Sequence, residues 1–267
     1  MSEMIDSHYL LTDQYTNASK LKARMQLHER FSTSNQDWHG WVFEQFAFPR
    51  GARLLELGCG PGTLWQKNLA SIPANWEITL SDFSPGMIQE AQQNLEQSHG
   101  NFSFQVVNAQ AIPFADDTFD GIIANHMLYH VPDRAQAFAE IRRVLRSQGR
   151  FYAATNGEKH LQEIDTLMEQ AGIPINGTVG ISEFTVENAA AQLAPWFSQI
   201  ELRDYKNGLR VTEAEPLIAF ILSAVKSESV DTQKLQKLRD SIYHELSTNG
   251  SIAITKATGL FIASGEK

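Results

Sequence analysis

Three glycines at alternate positions follow a short apolar run in the first quarter of the chain. The segment Leu54–Gly62 has the sequence L-L-E-L-G-C-G-P-G. Glycines at the end of a strand permit a tight turn and let a ligand approach the backbone closely, and nucleotides bind beyond the carboxyl ends of the strands in open α/β sheets. The loop also carries Glu56, which would repel a pyrophosphate but not a cationic ligand with a free ammonium group. The pattern therefore predicts a nucleoside-binding turn.

The glycine spacing separates two kinds of nucleoside ligand. The nicotinamide fingerprint is G-x-G-x-x-G, and its third glycine would fall on Thr63; the pattern present is E-x-G-x-G-x-G. Asp82 ends the next strand candidate, 20 residues after Gly62, where a carboxylate can accept hydrogen bonds from both ribose hydroxyls. Nicotinamide enzymes share that feature, so Asp82 alone does not separate the two readings, and a nicotinamide oxidoreductase is the weaker one.

Strand-like and helix-like patterns alternate over residues 52–155. Ser84 followed by Pro85, and Asp133 further on, are predicted helix N-caps. Alternation of this kind predicts a mostly parallel sheet covered by helices on both faces. The strand candidates are Arg53–Leu57, Ile78–Ser81, Phe102–Val107, Gly121–Ala124 and Arg150–Ala154.

With these features, the segment Leu54–Ala154 resembles the class I S-adenosylmethionine-dependent methyltransferases, and within them the small-molecule methyltransferase type 11 group. Besides the glycine loop and Asp82, three segments match the family's motifs. They are S-P-G-M at Ser84–Met87, I-P-F-A-D-D-T-F-D at Ile112–Asp120 and N-H-M-L-Y-H-V-P-D at Asn125–Asp133.

The resemblance implies a fold as well as a cofactor, S-adenosylmethionine. The expected fold is α/β, with a Rossmann-like seven-stranded sheet of strand order 3-2-1-4-5-7-6 and an antiparallel last strand. Ile200–Tyr205 and Gly259–Ser264 are the two remaining strand candidates. Gly259–Ser264 would be the last strand, inserted beside Arg150–Ala154.

The same resemblance implies a set of cofactor-binding residues. Phe83 and Met87 would enclose the adenine ring, and backbone carbonyls near Asn125 would face the cofactor's amino group. Asn108 stands where the family usually has Asp, but its side-chain oxygen can still accept a hydrogen bond from the adenine amino group. The full predicted set is Glu56, Gly58, Cys59, Gly60, Gly62, Asp82, Phe83, Met87, Asn108, Ala109 and Asn125.

Methyl transfer requires mainly that two reactants be oriented and shielded from water, and no catalytic residue is assigned. His126 and His130 follow the fourth strand candidate and are the substrate-facing candidates, although each is also read as a hydrogen-bonded histidine beside the cleft. Their spacing of four suits zinc on a helix, but the segment lacks the Glu of H-E-x-x-H and a third ligand. No metal is expected.

The chain is predicted to be a single methyltransferase domain over residues 1–267, with helical segments outside the core. Residues 14–48 are predicted as an N-terminal helical cover and residues 212–248 as a helical insertion. The insertion opens with a capping box, Thr212-x-x-Glu215. We expect both segments to form a lid over the acceptor, although the insertion would equally suit packing against the sheet.

Composition bears on partners and location. The net charge of −9 disfavours a nucleic-acid substrate, and Arg142, Arg143 and Arg146 are interpreted as a solvated helix face. No apolar run has membrane-span length, and the first 13 residues lack a signal-peptide core. The chain has one cysteine, which excludes an internal disulfide. These features favour a cytoplasmic location.

The sequence thus predicts S-adenosylmethionine-dependent methyl transfer to a small-molecule acceptor. Two alternatives stay open: a methyltransferase that modifies RNA or protein, and a non-catalytic module that binds S-adenosylmethionine. The acceptor, the use of a general base and the oligomeric state have no signature in the sequence.

Overall fold

The computed structural model describes residues 26–98, 100–175, 183–225 and 227–265. Their packing divides the chain into two compact units. The sheet unit comprises residues 38–155, 183–205 and 259–265. The helical unit comprises residues 26–37, 156–175, 206–225 and 227–258. Among the described residues, no helix is both long and apolar enough to cross a membrane.

Nine strands lie in the described part of the chain. They are β1 (Arg53–Leu57), β2 (Glu77–Asp82), β3 (Asn101–Val106), β4 (Phe119–Asn125), β5 (Leu145–Asn156), β6 (Gln199–Asp204), β7 (Asn207–Val211), β8 (Ile252–Lys256) and β9 (Thr258–Ser264). Seven of them form one sheet in the order β3-β2-β1-β4-β5-β9-β6. The first five pair in parallel, and β9 is antiparallel to β6. The predicted strand order and the place of the last strand are confirmed.

Helices connect these strands. They are α1 (Trp38–Glu44), α2 (Thr63–Asn68), α3 (Pro85–Leu95), α4 (Arg134–Val144), α5 (Gln162–Ala171), α6 (Ala189–Leu193), α7 (Ala214–Ala224) and α8 (Thr232–Asn249); residues 26–31 are also helical. The predicted cap Ser84 accepts a hydrogen bond from Met87 N, and Asp133 accepts one from Gln136 N. Both predicted N-caps are confirmed.

Each face of the large sheet packs into its own apolar core. Along β1, Leu54 lies in one cluster and Leu55 in the other, and both are fully buried. On β4, Ile123 lies in the same cluster as Leu54, and Ile122 lies in the same cluster as Leu55. Burial on both faces is what a parallel sheet covered by helices requires, and it fixes the strand ends that form the candidate site.

The helical unit has a core of its own and contains a small sheet that the sequence did not predict. β7 and β8 pair antiparallel, with Leu209 opposite Ile254, and both residues are buried with the apolar faces of α5, α7 and α8. The predicted capping box was wrong: Glu213 is the N-cap of α7 and makes no side-chain cap bond. The carboxylate of Glu215 instead accepts from Arg239 on α8 at 2.5 Å.

The arginines predicted as a solvated helix face are bonded within the sheet unit. Arg143 makes ion pairs with Asp116 and Glu140 at 2.8 Å, and Arg146 with Asp120 at 2.6 Å. The side chains of Arg143 and Arg146 are 32% and 43% exposed, so they remain in part solvated. The sequence did not reveal the ion pairs, because two of the three join residues more than 20 positions apart.

The predicted outer segments fall in different units. Residues 14–25 lie outside the described residues, 26–37 belong to the helical unit and 38–48 to the sheet unit. The insertion 212–248 lies in the helical unit, where it includes α7 and α8. The single-domain assignment and the lid role stay predictions.

Candidate active site

The glycine loop joins β1 to α2 through three residues in the left-handed backbone region. Gly58, Gly60 and Gly62 have φ values of +68°, +53° and +77°, a region that side chains rarely adopt. A Cβ at Gly58 would lie 2.7 Å from Cβ of Met127, whereas a Cβ at Gly60 would meet nothing within 4 Å. Gly58 is therefore required by packing, and Gly60 leaves open space beside the backbone.

Asp82, at the end of β2, fixes this loop. Its Oδ2 accepts a hydrogen bond from Gly60 N at 2.9 Å, and its Oδ1 accepts one from Ser84 N at 2.8 Å. Burial raises the pKa of the Asp82 carboxyl, while these backbone N–H groups oppose the rise. A carboxylate has about four lone-pair sites, so the two bonds leave acceptor capacity for a ligand.

Two apolar side chains are exposed next to Asp82. Phe83 is 41% exposed, and Val106, which pairs with Asp82 in the register of β2 and β3, is 47% exposed. Met87, on the buried side of α3, is only 3% exposed. The predicted enclosure of adenine by Phe83 and Met87 stays a prediction. Sequence reasoning missed Val106, although its place at the end of the neighbouring strand was a usable signal.

Asn108 and Ala109 form a turn beyond β3. Asn108 is exposed, and its Oδ1 accepts a hydrogen bond from Gln110 N at 3.0 Å. Ala111 N donates to Asn108 O at 2.9 Å, which closes the turn. Ala109 is buried. One lone pair of the Asn108 amide oxygen is thus used within the turn, and the second can accept from a ligand.

Glu56 points into the protein beneath the loop. It is 2% exposed, and its Oε2 accepts a hydrogen bond from the indole Nε1 of Trp65 at 2.6 Å. Burial raises its pKa to about 7, against the lowering effect of hydrogen bonds from Trp65 and Asn125. Sequence reasoning identified Glu56 but missed Trp65, nine residues further on.

Asn125 is the last residue of β4, and its buried Oδ1 has no hydrogen-bond partner among the described residues. An orphaned buried acceptor is costly, and a donor group on a ligand would relieve that cost. An ammonium group is such a donor.

Aromatic rings surround His126, directly after β4. The His126 ring lies 5.1 Å from the ring of Trp38, which in turn lies 5.2 Å from Tyr205 and 5.5 Å from Trp41. His126 has φ +53°, which is uncommon for a residue with a side chain and is often found at functional sites. We call these four residues the ring cluster. Sequence reasoning missed Tyr205, which only the fold brings to α1.

His130 lies one short turn further along, beside Tyr129, with ring centroids 4.5 Å apart.

Cys59, in the glycine loop, is buried, and burial raises the pKa of its thiol well above the ordinary value. A thiol that keeps its proton is a poor nucleophile and metal ligand. Among the described residues, no group of three or more His, Cys, Asp or Glu side chains could hold a metal ion.

These features fit S-adenosylmethionine. Open space at Gly60 admits the ligand, and the Asp82 carboxylate has capacity for ribose hydroxyls. Exposed Phe83 offers an apolar face to a purine, and Asn125 Oδ1 lacks a donor that the cofactor's ammonium group supplies. The assignment of the individual site residues stays a prediction.

Comparison with known proteins supports a methyltransferase domain in this part of the chain. The family described as methyltransferase domain matches residues 55–153. The ubiquinone/menaquinone biosynthesis C-methyltransferase UbiE of Geotalea uraniireducens is 31% identical over 118 residues, covering 43% of this chain and 50% of that protein. The chain spans about half the length of the curated relatives it matches.

Two solved structures share the fold. The [4+2]-cyclase SpnF has a TM-score of 0.60 at 17% identity, covering 100% of this chain and 98% of that chain. The phosphoethanolamine N-methyltransferase 2 of Haemonchus contortus, solved with S-adenosyl-L-methionine, has a TM-score of 0.59 at 15% identity, covering 97% and 60%. Residues 55–153 form a methyltransferase domain, and for it the predicted family, Rossmann-like fold, enzyme class and cofactor are confirmed.

Proposed function

We propose that this chain, with its S-adenosylmethionine-dependent methyltransferase domain, methylates a small aromatic acceptor of the hydroquinone class. The ring cluster of Trp38, Trp41, His126 and Tyr205 is the observation that carries the proposal. A planar acceptor packs favourably against such rings. The similarity to C-methyltransferases of ubiquinone and menaquinone biosynthesis supports the same class.

The cofactor would be held by the carboxyl ends of the first four strands. Asp82 would accept from the ribose, Asn125 Oδ1 from the ammonium group, and the adenine would lie near Phe83 and Asn108. When bound, S-adenosylmethionine supplies an electrophilic methyl group on a positively charged sulfur. The chain's net charge of −9 suits a cationic cofactor better than a polyanionic acceptor.

The protein's own residues would then have to orient the acceptor and accept the proton of its hydroxyl group. Stacking on Trp38 would fix the plane of the acceptor ring, and such orientation accounts for a large part of the rate enhancement in two-reactant enzymes. Removal of a hydroxyl proton makes the neighbouring ring carbon nucleophilic, and after that carbon has received the methyl group its own hydrogen must leave as a proton to restore the aromatic ring. His126, in contact with Trp38, and His130 are the candidate proton acceptors, because a neutral imidazole has one ring nitrogen that can accept a proton.

The test is a transfer assay with methyl-labelled S-adenosylmethionine. 1,4-Naphthohydroquinone is the aromatic acceptor, and phosphoethanolamine and an RNA and protein fraction are the alternatives. We expect a carbon-bound labelled methyl on the hydroquinone. Label on the macromolecules or the amine would contradict the proposed acceptor. S-Adenosylhomocysteine binding without transfer to any fraction would favour a non-catalytic module or another reaction. That outcome has to be tested, because a cyclase shares this fold.

A variant of the ring cluster tests the acceptor site itself. Trp38→Leu should lower kcat/KM for the hydroquinone about tenfold, the value of ~1.4 kcal/mol of ring contact, and should leave S-adenosylhomocysteine affinity intact. Phe43→Leu is the matched control, since Phe43 lies on the same helix and its ring contacts Phe46, Trp65 and Trp76. Equal losses in the two variants would contradict a role for the ring cluster.

A further inference from the structure

Arg143, in the last turn of α4, donates five hydrogen bonds from its guanidinium group. Nε donates to Glu140 Oε1, Nη1 to Phe114 O and Asp116 Oδ1, and Nη2 to Ile112 O and Glu140 Oε2, each at 2.8 Å. An arginine has five N–H donors arranged in a rigid planar fork. Every donor of this side chain is therefore used.

The bonds hold residues 112–116, which belong to the connection between β3 and β4 and form no strand or helix there. Glu140 adds a contact on the same segment, because its Oε2 also accepts from Ile112 N at 2.8 Å. Asp117 N donates to the backbone oxygen of Arg143 at 3.0 Å. The last turn of α4 thus holds residues 112–116 at Ile112 and again at the following residue, Asp117.

The fixed segment directly follows the turn at Asn108–Ala111. Hydrogen bonds inside that turn, from Gln110 N to Asn108 Oδ1 and from Ala111 N to Asn108 O, are 3.0 and 2.9 Å long. Ala111 is bonded covalently to Ile112, so the position of the turn follows from the position of the fixed segment. The turn carries Asn108 and Ala109, the residues proposed to meet the adenine.

We infer that Arg143 is a positioning residue for base recognition: through residues 112–116 it sets where Asn108 and Ala109 lie against the edge of the cofactor's purine. The inference rests on the proposed cofactor site. Arg143 needs no contact with the ligand for this role. Its loss should impair recognition of the purine's amino edge more than it impairs binding of the ribose or of the amino acid part.

The experiment compares two ligands that differ at that edge. S-Adenosylhomocysteine carries a 6-amino group, and S-inosylhomocysteine carries an oxygen instead. Dissociation constants for both are measured by calorimetry with wild type, Arg143→Lys and Arg146→Lys. Arg146 is the matched control, because its guanidinium donates to Asp120 and to Asp117 O, at 2.6 and 3.2 Å, which lie outside the turn and outside residues 112–116.

Wild type should prefer S-adenosylhomocysteine. Arg143→Lys keeps the charge but not the fork, so its affinity for S-adenosylhomocysteine should fall about tenfold, as for one charged hydrogen bond, with a smaller fall for the inosine ligand. Arg146→Lys should keep the wild-type preference. Glu140→Gln, which weakens the same contacts without removing Arg143, should shift the preference in the same direction and serves if Arg143→Lys does not fold.

Two results would overturn the inference. One is an unchanged preference in Arg143→Lys and Glu140→Gln; the other is an equal loss of affinity for both ligands, which a general loss of structure would cause. Failure of the wild type to bind S-adenosylhomocysteine is a distinct result, which refutes the proposed cofactor site and this inference with it.

Discussion

The stability of this protein should fall between pH 5 and pH 8 because of a single buried carboxyl, that of Glu56. Its folded pKa is about 7, raised from the ordinary value of 4.5 chiefly by burial. The folded protein therefore keeps a proton that the unfolded chain loses near pH 4.5. The contribution of Glu56 to the free energy of unfolding is therefore fully present below pH 4.5 and is lost as the pH rises through about 7.

The size of the effect follows from the difference between the two pKa values. Each tenfold change in proton affinity is worth ~1.36 kcal/mol, so the difference of 4.5 against about 7 corresponds to about 3 kcal/mol. The side chain is 2% exposed, so solvent screens little of it. We expect about 3 kcal/mol of destabilisation above pH 8 relative to pH 4.

Glu56→Gln isolates this group. The amide oxygen can still accept from Trp65 Nε1, but no charge has to be buried. The free energy of unfolding is measured by urea titration at pH 5, 6, 7 and 8. The difference between variant and wild type should rise by about 2.5 kcal/mol over that range. Glu77→Gln, at an exposed glutamate on β2, is the control for removing one negative charge. Parallel curves for wild type and Glu56→Gln would refute the reasoning.

Four further variants test the site and the helical unit. Asp82→Ala should weaken S-adenosylhomocysteine binding by ~1–3 kcal/mol in calorimetry; unchanged affinity would remove Asp82 from the site. Gly60→Val should cost more affinity than Asp82→Ala, because its side chain enters the open space at φ +53°, and wild-type binding would show that the ligand lies elsewhere. His130→Ala should lower kcat at nearly constant cofactor affinity; if neither changes, His130 is structural. Burial lowers the pKa of Lys256 to about 8, so Lys256→Met should raise the free energy of unfolding at pH 7 by ~1–3 kcal/mol, a gain that vanishes near pH 10.5; a gain independent of pH would contradict burial as its cause.

Local rules predicted the parts of the fold that local interactions determine. Ser84 and Asp133 were recognised as caps because an N-cap bond spans only three residues, and each accepts that bond. β1 was predicted with its observed bounds because an apolar run ends in glycines. The pairing of β7 with β8 joins segments more than 40 residues apart, and neither segment has a local signal strong enough to reveal it.

The same distinction explains the site. The glycine loop and Asp82 each end a strand that the sequence reveals locally, whereas Trp65 and Tyr205 acquire their places only through tertiary packing. Arg143 is the clearest case: its place in the last turn of a helix predicts a solvated arginine, yet three of its five hydrogen bonds reach a segment about 30 residues away in sequence. Electrostatic partners of this kind are set by topology, which sequence periodicity does not encode.

Two carboxyl groups lie at the end of the first two strands, and their surroundings assign them different tasks. Asp82 and Glu56 interact closely enough that the charge of Asp82 raises the pKa of Glu56. Asp82 accepts from the backbone N–H groups of Ser84 and Gly60, which stabilise its ionised form, and it is partly exposed. Glu56 is sealed beneath the loop and retains its proton up to about pH 7. A cationic nucleoside bound at this edge would therefore meet the Asp82 carboxyl first, because Glu56 lies beneath the loop. Glu56 acts from below, by holding Trp65 and thereby the helix that follows the glycines.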